Sequence, residues 1–71
     1  MKTIVLKIGG MHCEGCAETI KTLLEREPGV RMAKVTFKQG AARILYDPNI
    51  INEDRLARLI EEPGYQVVQR N

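Results

Sequence analysis

Cys13 and Cys16 are the only cysteines in the chain, and they form a C-x-x-C within Gly9-Gly10-Met11-His12-Cys13-Glu14-Gly15-Cys16-Ala17. Two thiols are too few to staple a small secreted fold through disulfides. At this spacing in a reducing compartment they point to metal binding or thiol redox chemistry. The segment lies between an extended stretch and a helical one, so both sulfurs should feel a helix N-terminus, whose free backbone N–H groups favour negative charge. Thiols placed there can fall from about 8.5 to about 3.5–7.5 in pKa. Soft ions prefer thiolates, and two of them on an exposed loop suit linear or near-linear coordination of Cu(I) or a similar ion. Gly15 is expected to let the backbone curl around the ion. A shell this incomplete leaves room for a partner's thiolates, which favours handing an ion over rather than storing it.

The neighbouring donors have two readings each. Met11 could supply a third soft ligand, but a Met between a strand and a helix is more often core filler. His12, the one histidine, could complete a zinc shell, whereas a residue there more often faces solvent or tunes the site electrostatically. Glu14 suits the positive end of a helix dipole and could touch a docking partner, with zinc ligation the weaker role.

Alternation over Thr3–Ile8, with Ile4, Leu6 and Ile8 on one face, predicts a strand. From Cys16 the period becomes helical, with Ala17, Ile20, Leu23 and Leu24 on one face, and Pro28-Gly29 ends the helix. Val30 opens a second strand in which Val35 and Phe37 alternate against Lys34, Thr36 and Lys38. A turn at Gln39-Gly40 leads into Ala42, Ile44 and Tyr46 as the hairpin partner. Asn52 reads as the cap of a second helix, with Ile51 and Leu56 as a hydrophobic staple and Leu56, Leu59 and Ile60 as its buried stripe. Pro63-Gly64 stops it, and Tyr65–Gln69 gives a last short strand. The order β-α-β-β-α-β predicts an α+β, ferredoxin-like fold, a four-stranded antiparallel sheet with two helices on one face. Each helix is expected to link neighbouring strands, and one domain is expected to fill residues 1–71.

Composition narrows the function classes. The chain has 71 residues, 44% hydrophobic and 28% charged, within the ordinary globular range. Eleven basic against nine acidic residues give +2, too weak a field for a dedicated nucleic-acid binder. Its apolar runs are far below the roughly 20 residues that span a bilayer, and no secretory signal is visible, so a cytoplasmic location is expected. A thioredoxin-type oxidoreductase needs a longer chain, and a structural zinc module needs four ligands. Covalent haem attachment needs a His where Ala17 stands, and a phosphate loop needs Lys-Ser/Thr where Cys16-Ala17 stands. RNA-recognition domains share the element order but stack bases on strand aromatics that Ala41–Leu45 does not provide. No catalytic Ser/His/Asp set or poised carboxylate pair is present. The expected role is binding rather than catalysis.

Gly10-Met11-His12-Cys13-Glu14-Gly15-Cys16 resembles the G-M-x-C-x-x-C signature of the heavy-metal-associated domain family, and Pro28-Gly29-Val30 and Gly64-Tyr65 extend the resemblance over essentially the whole chain. That family includes copper chaperones, N-terminal domains of soft-metal P-type ATPases and mercury-binding proteins. The resemblance implies that Cys13 and Cys16 are the ligands and that Met11 packs inward without binding. It also implies that Tyr65 lies near the metal, where bacterial members usually carry Tyr and eukaryotic chaperones Lys; the chain is similar to bacterial copper chaperones. Pro63 departs from the usual small residue and is expected to shorten the second helix, while His12 replaces the commoner Thr. The implied function is a cytosolic Cu(I) metallochaperone that delivers its ion to the metal-binding domain of a P-type ATPase exporter. Alternatives are Hg(II), Zn(II) or Cd(II) trafficking, possibly by a domain of a larger transporter or reductase, and a thiol redox module. A metal-bridged homodimer is a further expectation.

Overall fold

The computed structural model describes residues 1–70. The elements are β1 (Lys2–Gly9), α1 (Glu14–Glu25), β2 (Val30–Thr36), β3 (Ala41–Tyr46), α2 (Glu53–Glu61) and β4 (Gln66–Arg70). They form one four-stranded antiparallel sheet in the order β2-β3-β1-β4. The element order and fold class are those expected, but one connection rule differs. Neither helix links neighbouring strands: α1 carries the chain from β1 past β3 to β2, and α2 carries it from β3 past β1 to β4. A helical crossover brings the chain back in the direction in which it left, so the two strands it joins are parallel. In a fully antiparallel sheet an opposed strand must lie between them.

The central pair β1–β3 fixes the register, running from Lys2 opposite Tyr46 to Lys7 opposite Ala41. Ile4, Leu6 and Ile8 therefore share a face with Ala42, Ile44 and Tyr46, and all six are buried. Ile20 and Leu24 of α1 and Leu56, Leu59 and Ile60 of α2 close over that face to make the core. Leu6, Ile20, Leu24, Ile44, Leu56 and Ile60 are its largest fully buried side chains, each contributing about 1.5–3 kcal/mol by leaving water.

Several boundaries move for local reasons. Strand β2 ends at Thr36, two residues early, because Phe37–Gly40 turns the chain with Gly40 N–H donating to the Phe37 carbonyl at 3.1 Å. Phe37 is therefore a half-buried turn residue rather than a strand residue. A register shift between Val30 and Met32 lets Val30 pack against the core on the same side as Ala33, and Met32 is left 50% exposed. Leu23 is only half-buried, at the margin of the α1 stripe. The second helix starts as expected: the Asn52 side chain accepts from Arg55 N–H at 2.9 Å, and Ile51 and Leu56 are both buried beside it.

Candidate metal centre

The loop between β1 and α1 is set by one backbone requirement. Gly10 has φ +92, the left-handed region that favours glycine. Its α-carbon passes close to Tyr65, such that a β-carbon there would lie 3.8 Å from Tyr65 Cδ1. The chain then extends through Cys13 (φ −164, ψ 170), which occupies the N-cap of α1 and makes no side-chain capping bond. Gly15, expected to let the backbone curl around the ion, has no positive φ. A β-carbon there would meet Cys13 Sγ at 3.5 Å, an ordinary van der Waals contact, so neither backbone angle nor space demands glycine at this position.

Helix α1 begins at Glu14, so Cys16 is its third residue, and Cys16 N–H donates to the Cys13 carbonyl at 3.1 Å. One tight turn brings the sulfurs to 3.6 Å. Both are free thiols, Cys13 exposed and Cys16 half-buried. The Cys16 thiol is pushed down to about 7, chiefly by the polar Tyr65 side chain near it, then by the backbone at His12 and the Cys13 side chain, with burial acting in the opposite direction. The helix end is therefore not the main source of this activation, whose first cause is a residue 49 positions away. The same proximity holds the Tyr65 phenol above its usual value, with Cys16 the first cause.

The other candidates divide cleanly. Met11 is half-buried and packs against the core cluster beneath the loop, with Tyr65 packed there as well. His12 and Glu14 are exposed, Glu14 supplying the acid of the first turn of α1. Among the described residues no set of three His, Cys, Asp or Glu side chains is grouped to hold one ion. The two sulfurs form the chemical centre of the loop, and the Tyr65 ring packs beside its backbone at Gly10. Phe37 and Lys38 were not singled out from sequence, yet they share a surface hollow with Glu14, Ala17 and Glu18 at the start of α1. Only the tertiary packing of α1 against β2 brings that turn there, so no local signal marks it.

Residues 5–66 match the heavy-metal-associated domain family. The chain belongs to that family. This heavy-metal-associated domain is 38% identical over 66 residues to the copper-transporting ATPase RAN1 of Arabidopsis thaliana, covering 90% of the chain and 7% of the ATPase. It thus spans only a small part of such relatives. Among solved structures it resembles the CopZ metallochaperone, with TM-score 0.90 and 28% identity over 94% of this chain and 100% of that one. It also resembles a copper-binding domain of HMA7, a P-type ATPase, with TM-score 0.92 and 27% identity over 100% and 99%. Heavy-metal-associated domains are small metal-binding modules, not catalysts, and these neighbours are chaperones and transporter domains. No helix among the described residues is long and apolar enough to cross a membrane.

Proposed function

We propose that the domain, a single unit over residues 1–71, binds one Cu(I) ion between Cys13 and Cys16 and passes it by thiolate exchange to the metal-binding domain of a P-type ATPase exporter, in the cytoplasm. The observation that carries this reading is the pair of free sulfurs 3.6 Å apart on an exposed helix start. Two thiolates satisfy Cu(I), which accepts low coordination numbers, whereas Zn(II) seeks four ligands. The half-depressed titration of Cys16 keeps much of it ionised near pH 7.

Transfer is associative. A partner thiolate attacks the two-coordinate ion and forms a three-thiolate intermediate, and Cys13 or Cys16 then departs. Cys13 is the more exposed sulfur and is the first to be replaced. Tyr65 steadies the released Cys16 thiolate by donating its hydroxyl, so the chain need not take up a proton before the ion has left. Copper-bridged pairing of two copies follows the same chemistry, each copy's sulfurs completing the other's shell.

The test is to mix the Cu(I)-loaded chain with the copper-free N-terminal domain of a copper P-type ATPase and follow both by NMR. Exchange faster than release of the ion to a small-molecule chelator supports direct handover; equal rates contradict it. Zn(II), Cd(II) or Hg(II) trafficking is the second reading; for Zn(II) it would need exposed His12, the sequence neighbour of Cys13, to swing in as a further ligand. Tight Zn(II) binding lost in His12→Ala would establish it in place of copper.

A further inference from the structure

The open face of the sheet, opposite the helices, carries cations and no acids. None of the four strands contains Asp or Glu, and all nine acidic residues of the chain lie in the helices and loops. Because Ala33, Ala42 and Ile44 point into the core, strand alternation sends Lys34 and Arg43 to the other face. They stand directly opposite each other across β2 and β3, and Val5 continues the same rung onto β1. The next rung is Thr36, Ala41 and Lys7.

Val5, Lys34, Thr36, Gln39, Ala41 and Arg43 line a hollow of about 310 Å³ on this face. Its floor is the small side chain of Ala41, only 8% exposed despite facing outward. Its walls are donors: an ammonium, a guanidinium fork, a hydroxyl and an amide. Like charges directly opposed across a strand pair repel. No ion pair among the described residues engages Lys34 or Arg43; those present use Arg55 and Arg70.

We propose that this hollow binds a phosphate group carried on a small molecule. Two cations with a hydroxyl and an amide around them present donors from several directions, which suits the three free oxygens and double charge of a phosphate ester better than the two coplanar oxygens and single charge of a carboxylate. The volume lies at the lower end of small-molecule sites, the size of a sugar phosphate. None of the lining residues is aromatic, so bases have nothing to stack on and a nucleic-acid strand gains only backbone contacts. The site is separate from the cysteine loop, and the proposal does not rest on the metal reading.

The full chain, ¹⁵N-labelled, reduced and without added metal, is titrated with inorganic phosphate, glucose 6-phosphate and an oligothymidylate, against potassium chloride at matched ionic strength. Saturable shifts from the two phosphates at the amides of Lys34, Thr36, Gln39, Ala41 and Arg43, absent with chloride, are expected. Arg43→Gln and Lys34→Gln should each weaken binding about tenfold. Each should also raise the phosphate-free Tm, since repulsion across the rung is relieved, which shows that the variants fold. Shifts spread equally over Lys2, Arg26 and Lys38, shifts reproduced by chloride, or unchanged affinity in both variants would overturn the site. Tighter binding of the oligothymidylate than of glucose 6-phosphate would overturn the small-molecule assignment.

Discussion

Tyr65 and Cys16, contributed by the entry to the last strand and the first turn of α1, shift each other's titration in opposite directions. The thiol falls to about 7 while the phenol rises. A hydroxyl that donates to a thiolate must hold its proton more tightly, and the thiolate it faces becomes easier to form. This pairing ties the C-terminal half of the chain to the chemistry of the N-terminal loop.

Alkylation of Cys16 by iodoacetamide, resolved from Cys13 by fragment-ion mass spectrometry, should rise with pH around a midpoint near 7. In Tyr65→Phe that midpoint should move up toward the ordinary thiol value of 9.0. The folded thiol titrates below the unfolded one, so its stabilising contribution is complete above pH 9 and is lost as pH falls through about 7. An unchanged midpoint in Tyr65→Phe would mean that the hydroxyl does not reach the sulfur.

Cys13→Ser should separate the two roles of the N-cap position. Cys13 has the extended backbone of a cap but makes no capping bond. Serine in the same place can accept from the free N–H groups of the first turn, which stabilises a helix by about 1 kcal/mol. The metal-free variant is expected to be at least as stable as the parent in urea unfolding. A large loss of stability would show that the Cys13 side chain packs in a way its exposure does not reveal.

Gly29 and Gly64 offer a matched pair of substitutions. Both have positive φ, +96 and +112. At Gly64 a β-carbon meets nothing within 4 Å, so Gly64→Ala should cost only the backbone strain of about 1–2 kcal/mol. At Gly29 the β-carbon would lie 2.9 Å from Cγ2 of both Ile50 and Ile51, adding about 1–3 kcal/mol of overpacking. Gly29 also accepts from Asp47 N–H at 2.8 Å, which holds the β3–α2 loop against it. Urea midpoints should therefore rank the parent above Gly64→Ala and Gly64→Ala above Gly29→Ala. The reverse order of the two variants would contradict the packing around Gly29.

The period-two runs of β1 and β3 and the Asn52 cap were legible in the sequence because each rests on neighbours close along the chain. The cysteine loop was legible for the same reason, and family resemblance placed Tyr65 beside it. What local pattern could not supply was the strand order, since a helix length does not say how many strands its crossover passes. The register shift at the start of β2 sets Val30 against the core out of phase with Ala33 and Val35, which alternation alone does not show. Gly15 looked like the pivot of the loop because it lies between the cysteines, yet the left-handed turn falls at Gly10, where the backbone passes Tyr65. The dominant cause of the lowered Cys16 titration is likewise a contact between residues 49 positions apart, which no window of sequence contains.

The central claim is that Cys13 and Cys16 together hold the ion. Its most direct test is Cu(I) competition against a chromophoric chelator under reducing conditions, for the native chain, Cys13→Ser and Cys16→Ser. One-to-one binding by the native chain and its loss in both variants, each still folded by circular dichroism, is the expected result. Unaltered one-to-one binding in either variant would contradict the site.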